Sequence, residues 1–352
     1  MKKILFINSS LTGGGSERVM TVLANKFSNN YDVSMILLRD IGPDTYKVSN
    51  NVKLIRFNKK SNKKIVIALD RFVRLRKTIK KINPDYIISF MYDINIMTLI
   101  SAIGLHKRII VSERADPKNR KANEIIRPIE LLTYRMAYKV VFQTPTVKDM
   151  YPNFIKEKSF VIPNPIRSDI PKKSLNKDMN LIVSAGRLTE QKNYDLLIEA
   201  FSIVVKKHPN YVLKIYGKGA LEEHLKNEIR IKGLSNNILL AGYSDNIDEI
   251  INNSFMYVSS SNYEGISNSM LEAMAMSVPT ICTDCPVGGA RLIIKNNENG
   301  ILVKVNDVEE LSMAINKLIE DKKLYNKISA NSQKVLTDYS IDVIYSKWLE
   351  LL

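Results

Sequence analysis

SSSNYEGISNSMLEAMA, residues 259–275, is the most informative segment of the chain. It follows the strand-forming residues 255–258 and passes through a small polar loop directly into a helix-forming sequence. Seven residues separate its two carboxylates, Glu264 and Glu272. Ligands of open α/β sheets bind beyond the carboxyl ends of the strands, and the N–H groups at a helix N-terminus favour phosphate. The segment therefore predicts a site for a ligand with phosphates and hydroxyl groups, such as a sugar nucleotide.

The apolar periodicity of the remaining sequence alternates between strands and helices. The first half predicts strands at 3–9, 31–38, 52–57, 86–90, 108–111 and 139–142, and helices at 16–27, 63–82 and 95–104. The second half predicts strands at 181–185, 211–216, 238–241, 255–258, 279–282 and 301–303, and helices at 194–207, 221–232, 269–276, 308–319 and from 323 onward. This alternation is typical of parallel sheets covered by helices on both faces. We therefore expect an α/β fold with two Rossmann-like domains facing each other across a cleft.

A linker separates these two predicted domains. Residues 160–166, FVIPNPI, contain two prolines that favour extended backbone, and a polar stretch follows at 167–180. We therefore place the first domain at 1–165 and begin the second at 166.

The net charge of +16 comes from the first half of the chain. Residues 1–165 carry 30 lysines and arginines against 13 aspartates and glutamates, whereas residues 166–352 have a net charge of −1. A one-sided basic surface indicates an anionic partner, which is a nucleic acid, an acidic lipid or a phosphorylated substrate.

The segment 59–81 concentrates this charge, with ten cations and one acid, Asp70. Its helix has one apolar stripe, formed by Ile65, Leu69, Phe72, Leu75, Ile79 and Ile82. A basic amphipathic helix is typical of contact with anionic lipid, although the same stripe would also pack on the domain's own sheet. The cluster lacks interleaved aromatic residues that stack on bases, so we do not expect a nucleic-acid partner.

Membrane-spanning and secreted classes of protein are not indicated. No apolar run reaches the ~18 residues of a spanning helix, and the N-terminus predicts a strand rather than a signal peptide. We expect a cytoplasmic protein. The two cysteines, Cys282 and Cys285, have no second Cys or His pair near them, so we expect structural thiols and no zinc.

Three further loops carry polar residues after predicted strands. GRLTEQKN, residues 186–193, places Arg187 and Lys192 where they would stabilise a departing nucleoside diphosphate; the alternative is a solvated surface loop. The glycines at 13–15 open the first helix and let the backbone approach a ligand, or they form a flexible turn. The third loop contains Glu113, Arg114 and Asp116. We expect these residues either to contact the transferred sugar or the acceptor, or to form a local salt bridge.

Taken together and in order, these blocks resemble the retaining glycosyltransferases of family 4, which have the GT-B fold. The matching blocks are GGGSER at 13–18, IPNP at 162–165, Gly186-Arg187 with Lys192, the Glu-x7-Glu segment at 264–272, and NGILV at 299–303. One departure is Leu292, where family members commonly have a glutamate.

The resemblance implies a role for each matching residue. The second domain, 166–335, would hold the nucleotide-sugar, with Arg187 and Lys192 on the diphosphate, Glu264 facing the donor sugar and Glu272 on the ribose hydroxyls. Four residues would meet the diphosphate or sugar through their backbone: Ile266, Ser267, Asn268 and Ser269. The first domain would bind the acceptor and bring Gly14 and Gly15 to the site, and residues 336–352 would form a helix that crosses back to it.

The resemblance also implies an activity, namely transfer of a hexose or N-acetylhexosamine in bacterial surface-polysaccharide synthesis. The donor would be a UDP-sugar, and the acceptor a polyprenyl-pyrophosphate saccharide at the cytoplasmic face of the membrane. A sugar-nucleotide epimerase or a phosphorylase with the same fold is the alternative. The sequence has no Asp-x-Asp pair, which glycosyltransferases of the other major fold use to hold a metal, so we expect no metal and no cofactor.

Overall fold

The computed structural model of the protein describes residues 1–39, 42–58, 63–119 and 123–352. Contacts within the chain divide it into two compact units. The first unit comprises Met1–Pro165 and Ile341–Leu352, and the second comprises Ile166–Ser340. The last twelve residues of the chain therefore belong with the first unit, and the second unit extends past the boundary that we placed at 335.

The first unit is built on a parallel seven-stranded sheet in the order β3-β2-β1-β4-β5-β6-β7. Its strands are β1 (Lys3–Asn8), β2 (Asp32–Leu37), β3 (Val52–Arg56), β4 (Tyr86–Phe90), β5 (Arg108–Glu113), β6 (Lys139–Phe142) and β7 (Ser159–Val161). Its helices before the linker are α1 (Gly15–Phe27), α2 (Lys64–Ile82), α3 (Tyr92–Ser101), α4 (Asn123–Tyr134), α5 (Pro145–Asp149) and α6 (Asn153–Lys156), with one 3-10 turn at Pro117–Asn119.

The second unit has a parallel six-stranded sheet in the order β10-β9-β8-β11-β12-β13. Its strands are β8 (Asp178–Ala185), β9 (Val212–Tyr216), β10 (Ile238–Gly242), β11 (Ser254–Ser259), β12 (Thr280–Thr283) and β13 (Ile301–Val303). Its helices are α7 (Tyr194–Lys207), α8 (Glu222–Ile231), α9 (Ile247–Asn252), α10 (Asn268–Ala275), α11 (Gly289–Ile293), α12 (Val308–Glu320), α13 (Lys322–Ser332) and α14 (Val335–Asp338). The final helix, α15 (Ile341–Leu349), packs against α1 of the first unit.

The predicted α/β class with two Rossmann-like domains is confirmed. The central strands could be predicted from continuous apolar runs, because both faces of a parallel sheet are covered. In β1 every residue after Lys3 is buried, and in β11 all six residues are. The elements β7, α4, α5, α6, α9 and α11 were not predicted from the sequence. Of these, α4 contains Pro128, and the others are at most six residues long.

The apolar stripe predicted on the basic helix is only partly correct. Leu75 and Ile79 are fully buried, but Leu69 is 61% exposed, so this residue of the stripe does not pack inward. Residues 59–62 of the predicted basic segment lie outside the described residues.

The order of strands fixes where a ligand site is expected in the second unit. From β8 the chain proceeds to β9 on one side, and it later returns to place β11 on the other side. Such a reversal of strand order opens a crevice at the carboxyl ends of the two neighbouring strands. The loops after β8 and β11 are the two loops that carry the predicted cations and Glu264.

Candidate functional site

The loops at 186–193 and 260–267 are bound to each other at this reversal point. The backbone N–H of Asn262 donates to the carbonyl of Gln191 at 2.8 Å, and the Asn262 amide donates to the carbonyl of Glu190 at 2.9 Å. Ser260 Oγ donates to the carbonyl of Lys192 at 2.9 Å. These bonds fix the first loop relative to the second, so the side chains they carry have a defined separation.

Lys192 and Glu264 form an ion pair at the centre of this arrangement. Lys192 Nζ lies 2.8 Å and 2.7 Å from the two carboxylate oxygens of Glu264. Ser261 Oγ donates to Glu264 Oε2 at 2.8 Å. The side chains are 13% and 21% exposed, so the pair is largely shielded yet still reaches solvent. A charge-assisted pair of this kind presents both a cation and hydroxyl-binding oxygens to an incoming ligand.

Arg187 is exposed and lies on the same loop as Lys192. Its Nη2 donates to Gln191 Oε1 at 3.2 Å, and Gln191 Nε2 in turn donates to the carbonyl of Tyr263 at 3.0 Å. Arg187 is therefore connected to the Glu264 loop through a single side chain. The structure places both predicted cations beside the loop of Glu264.

Two glycines leave space beside Lys192 and beside the backbone that follows Glu264. A Cβ on Gly186 would lie 2.7 Å from Lys192 Cε, so a larger residue there would displace the lysine side chain. A Cβ on Gly289 would lie 1.9 Å from the carbonyl oxygen of Gly265, which is backbone. Both glycines are visible in the sequence, but only the fold reveals what their missing side chains would touch.

The helix after Glu264 begins within the same loop. Ser267 caps α10, since its Oγ accepts from the N–H of Met270 at 3.4 Å. Ile266 and Ser267 are buried, whereas Asn268 and Ser269 in the first turn are half-buried. The N-terminus of α10 thus lies a few residues from the Lys192–Glu264 pair, which favours anion binding beside it.

Glu272 has a protein partner that the sequence analysis did not foresee. It is 5% exposed, and Arg167 Nε lies 3.6 Å from its Oε1. Arg167 also pairs with Asp248 and, at 2.8 Å, with Asp169. Burial lowers the pKa of Arg167, but the three carboxylates outweigh it and raise the pKa overall. The second glutamate is therefore paired with a cation from the linker.

Comparison with known families decides what this site belongs to. The sequence model described as "Glycosyltransferase Family 4" matches residues 13–169, and the model described as "Glycosyl transferases group 1" matches residues 166–335. The two models together cover nearly the whole chain, each on one unit. The protein belongs to the family 4 glycosyltransferases and has the GT-B fold.

Relatives that match the whole chain are glycosyltransferases by name. The chain is 28% identical to an uncharacterised glycosyltransferase of Haemophilus influenzae, with complete coverage of both chains. It is also 28% identical to the GalNAc-alpha-(1->4)-GalNAc-alpha-(1->3)-diNAcBac-PP-undecaprenol alpha-1,4-N-acetyl-D-galactosaminyltransferase of Campylobacter jejuni, covering 100% of this chain and 98% of that one. Among solved structures, HepE of Anabaena in complex with UDP-glucose has a TM-score of 0.83, 18% identity and full coverage of both chains.

The glycine loop of the glycosyltransferase's first unit has an internal partner. The N–H groups of Gly13 and Gly14 both donate to Glu17 Oε2 at 3.0 Å, and Ser10 Oγ donates to Glu17 Oε1 at 2.5 Å. These two N–H groups are therefore already engaged by the carboxylate at the start of α1. The binding roles expected of Gly14 and Gly15 stay predictions.

Glu113 is buried at the end of β5 and is engaged locally. Its Oε1 accepts from the N–H groups of Arg114 and Ala115 at 2.9 Å and 3.0 Å, and Tyr134 OH lies 3.4 Å from its Oε2. Of the two interpretations left open by the sequence, these bonds favour the local structural one. The role of Glu113 in binding substrate stays a prediction.

Arg114 is buried beside it, with its guanidinium 4.3 Å from the Phe90 ring centroid. It donates from Nη1 to Asn164 Oδ1 at 2.8 Å, which connects the end of β5 to the linker. Burial lowers the pKa of Arg114 to about 9, and Glu113 acts in the opposite direction. Arg114 therefore has a structural position in the first unit.

The two cysteines of the glycosyltransferase are buried free thiols near Glu264. Burial, with a smaller contribution from the carboxylate of Glu264, raises the pKa of Cys285 to about 11. Within 1–39, 42–58, 63–119 and 123–352, no three His, Cys, Asp or Glu side chains are grouped so that they could hold a metal ion.

Proposed function

We propose that the protein is a retaining glycosyltransferase that moves a hexose or N-acetylhexosamine from a UDP-sugar to a polyprenyl-pyrophosphate-linked saccharide in bacterial surface-polysaccharide synthesis. The Lys192–Glu264 pair at the reversal of strand order is the observation that carries this proposal. The donor class is supported by the fold shared with HepE, which was solved with UDP-glucose. The acceptor class is supported by the name of the Campylobacter relative, which acts on an undecaprenol-linked saccharide.

In this proposal each member of the ion pair binds one part of the donor, the lysine the diphosphate and the glutamate the sugar. Lys192 Nζ binds the diphosphate together with Arg187 and the N-terminus of α10, and these groups stabilise the charge that develops on departure. Glu264 accepts hydrogen bonds from the sugar hydroxyls and orients the ring. Because Lys192 and Glu264 lie within 2.8 Å of each other, the phosphate bound by the lysine and the sugar bound by the glutamate would be neighbours.

The bond changes in this proposal are balanced without a covalent enzyme intermediate. The acceptor hydroxyl oxygen forms a bond to the anomeric carbon on the face from which the diphosphate oxygen departs. The hydroxyl proton passes to the departing diphosphate, so the products are the elongated saccharide and UDP. The positive groups of the site lower the barrier by binding the diphosphate more strongly as its charge grows.

Glu272 would orient the ribose of the nucleotide. It is buried, and Arg167 holds one of its oxygens from the side of the linker. A carboxylate fixed in this way is preorganised to accept hydrogen bonds from two neighbouring hydroxyls.

The proposal also places the enzyme at the cytoplasmic face of an anionic membrane. Right-handed crossovers put α2, α3 and α4 on one face of the first sheet, and α3 packs against both neighbours. On this face α2 exposes Val66, Leu69 and Val73, and α4 exposes Ile125 (70%) and Leu132 (69%). Apolar side chains among the cations of α2 suit a peripheral lipid surface. In the described part of the chain, no helix has the length and apolarity needed to cross a membrane.

A panel of UDP- and GDP-sugars with polyprenyl-pyrophosphate saccharides tests the proposed reaction, with mass spectrometry to detect the added sugar and NMR of the product to read its anomeric configuration. We expect one UDP-sugar to add a single residue to the acceptor, with the anomeric configuration of the donor preserved in the product. Inversion at that carbon would contradict the retaining assignment. An epimeric sugar nucleotide formed without acceptor, or a sugar phosphate formed with inorganic phosphate, would instead favour the epimerase or the phosphorylase.

A further inference from the structure

The carboxylate of Glu264 accepts a hydrogen bond from Ser261 in addition to its contact with Lys192. Ser261 is 1% exposed, and its hydroxyl donates to Glu264 Oε2 at 2.8 Å, the same oxygen that lies 2.7 Å from Lys192 Nζ. Ser261 and Lys192 together thus hold the carboxylate in its orientation. The orientation of Ser261 itself depends on what holds its peptide group.

Two side chains from the end of β12 converge on the carbonyl of Ser261. Thr283 Oγ1 donates to this oxygen at 2.6 Å, and Cys285 Sγ donates to it at 3.1 Å. Thr283 and Cys285 are 2% and 3% exposed, so neither reaches solvent. Together with Glu264 and Ser261 they line a small cavity of about 10 Å³.

We propose that Thr283 and Cys285 are positioning residues that fix the Ser261 peptide, so that the Ser261 hydroxyl keeps Glu264 turned toward Lys192. This inference rests on the proposed function for its catalytic consequence. The contacts form one connected path from β12 through the β11 loop to the ion pair, at hydrogen-bond distance in each step.

The chemistry of the donors supports this arrangement. Burial raises the pKa of Cys285 to about 11, so the thiol keeps its proton and remains a donor at ordinary pH. A carbonyl oxygen has two lone pairs, and here each is matched to one donor. Valine has the shape of threonine without the donor, so Thr283→Val removes the hydrogen bond while keeping the volume.

The first experiment measures the ion pair without requiring turnover. In the ligand-free protein, the rate at which acetic anhydride acetylates Lys192 is followed by mass spectrometry, with the exposed Lys207 as an internal control. Thr283→Val should raise the Lys192 rate about fivefold, the change expected for loss of one net hydrogen bond. Thr283→Ser, which keeps the donor, should leave it near the wild-type rate. Equal rates in wild type and Thr283→Val would overturn the inference.

The second experiment measures the consequence for transfer. We expect Thr283→Val to lower kcat about tenfold with little change in the Kd of UDP, and Thr283→Ser to restore kcat. In a Glu264→Gln background, Thr283→Val should cause no further loss, because it acts through that carboxylate. The same loss in both backgrounds would show a merely structural role.

Two outcomes keep the inference separate from the proposed function. If wild type transfers no sugar but Lys192 acetylation responds to Thr283→Val, the positioning path stands and the proposed function fails. If Thr283→Val does not fold, Ser261→Ala breaks the same path one step later, with Cys285→Ser and Cys285→Ala as the paired test of the second donor. An unchanged Lys192 rate in Ser261→Ala would also overturn the inference.

Discussion

Lys192 is the side chain on which the proposed chemistry depends most. Its charge lies within 2.8 Å of both oxygens of Glu264, where the leaving diphosphate is expected to bind. Lys192→Ala should lower kcat by about 10²–10³-fold, as loss of a preorganised electrostatic contact does, with little change in melting temperature. Lys207→Ala, which removes an exposed lysine paired with Glu320, is the matched control. A Lys192→Ala enzyme with the wild-type rate would remove this residue from the mechanism.

Substitutions at Gly186 and Gly289 test the surroundings of Lys192 and of Glu264, respectively. Gly186→Ala meets the far end of the flexible Lys192 side chain, so we expect a large loss of kcat and almost unchanged stability. Gly289→Ala meets the carbonyl of Gly265, which is backbone, so we expect about 1–3 kcal/mol of destabilisation as well as lost activity. Chemical denaturation and steady-state kinetics on both variants separate the two effects. Equal stability of the two variants would contradict this account.

Lys177 gives a pH-dependent prediction. Burial, together with the nearby charge of Lys173, lowers its pKa to about 8. Between pH 8 and the usual lysine pKa near 10.5, the unfolded chain binds more protons than the folded one, so stability from this residue rises with pH in that window. Lys177→Met should therefore stabilise the protein at pH 7 by about 2 kcal/mol, and the gain should vanish by pH 10.5.

Thermal unfolding of both proteins at the two pH values checks this prediction. The carbonyl of Ser277 that Lys177 bonds at 3.0 Å keeps a second donor, Ser329 Oγ, so the substitution leaves this carbonyl satisfied. A gain that persists unchanged at pH 10.5 would show that burial of the charge is not its cause.

The helices α2 and α4 carry the proposed membrane contact. Leu69→Glu and Leu132→Glu each place a charge on the exposed apolar face, so co-sedimentation with phosphatidylglycerol vesicles should fall severalfold. Met313→Glu, on an equally exposed residue of α12 in the second unit, should not change it. Vesicle binding that is identical in all three variants would exclude this face as the contact.

The sequence predicted these two helices unequally well, for physical reasons. A core-facing stripe and an outward apolar stripe give the same periodicity, so the exposure of Leu69 could not be read from the pattern of α2. The helix α4 was not predicted, and it contains Pro128, a residue type that removes a backbone N–H donor inside a helix. Strands fared better, because burial on both faces leaves continuous apolar runs such as β1 and β11.

The sequence predicted which residues belong to the candidate site, but not which side chains contact each other there. The sequence indicated that Lys192 and Glu264 belong to one site, since both follow strands that end at the same edge of a sheet. It could not show that they pair directly, nor that Arg167 holds Glu272, because those contacts depend on side-chain directions set by packing. Likewise, the engagement of the Gly13 and Gly14 N–H groups by Glu17 follows from local geometry that a glycine-rich motif does not specify.

For the molecule as a whole, the division of charge matches the division of function that we propose. The excess of lysine and arginine lies in residues 1–165, which form most of the first unit, whereas the Lys192–Glu264 pair lies in the nearly neutral second unit. The first unit would then meet the anionic acceptor and membrane, and the second would bind the donor. Vesicle binding should accordingly weaken with salt more steeply than UDP binding does.

The most direct test of this account is a crystal structure of the protein with an unreactive UDP-sugar analogue. We predict that a diphosphate oxygen lies about 3 Å from Lys192 Nζ and that the sugar hydroxyls lie at hydrogen-bond distance from Glu264. A nucleotide bound elsewhere, with the Lys192–Glu264 pair untouched, would contradict the assignment of this site.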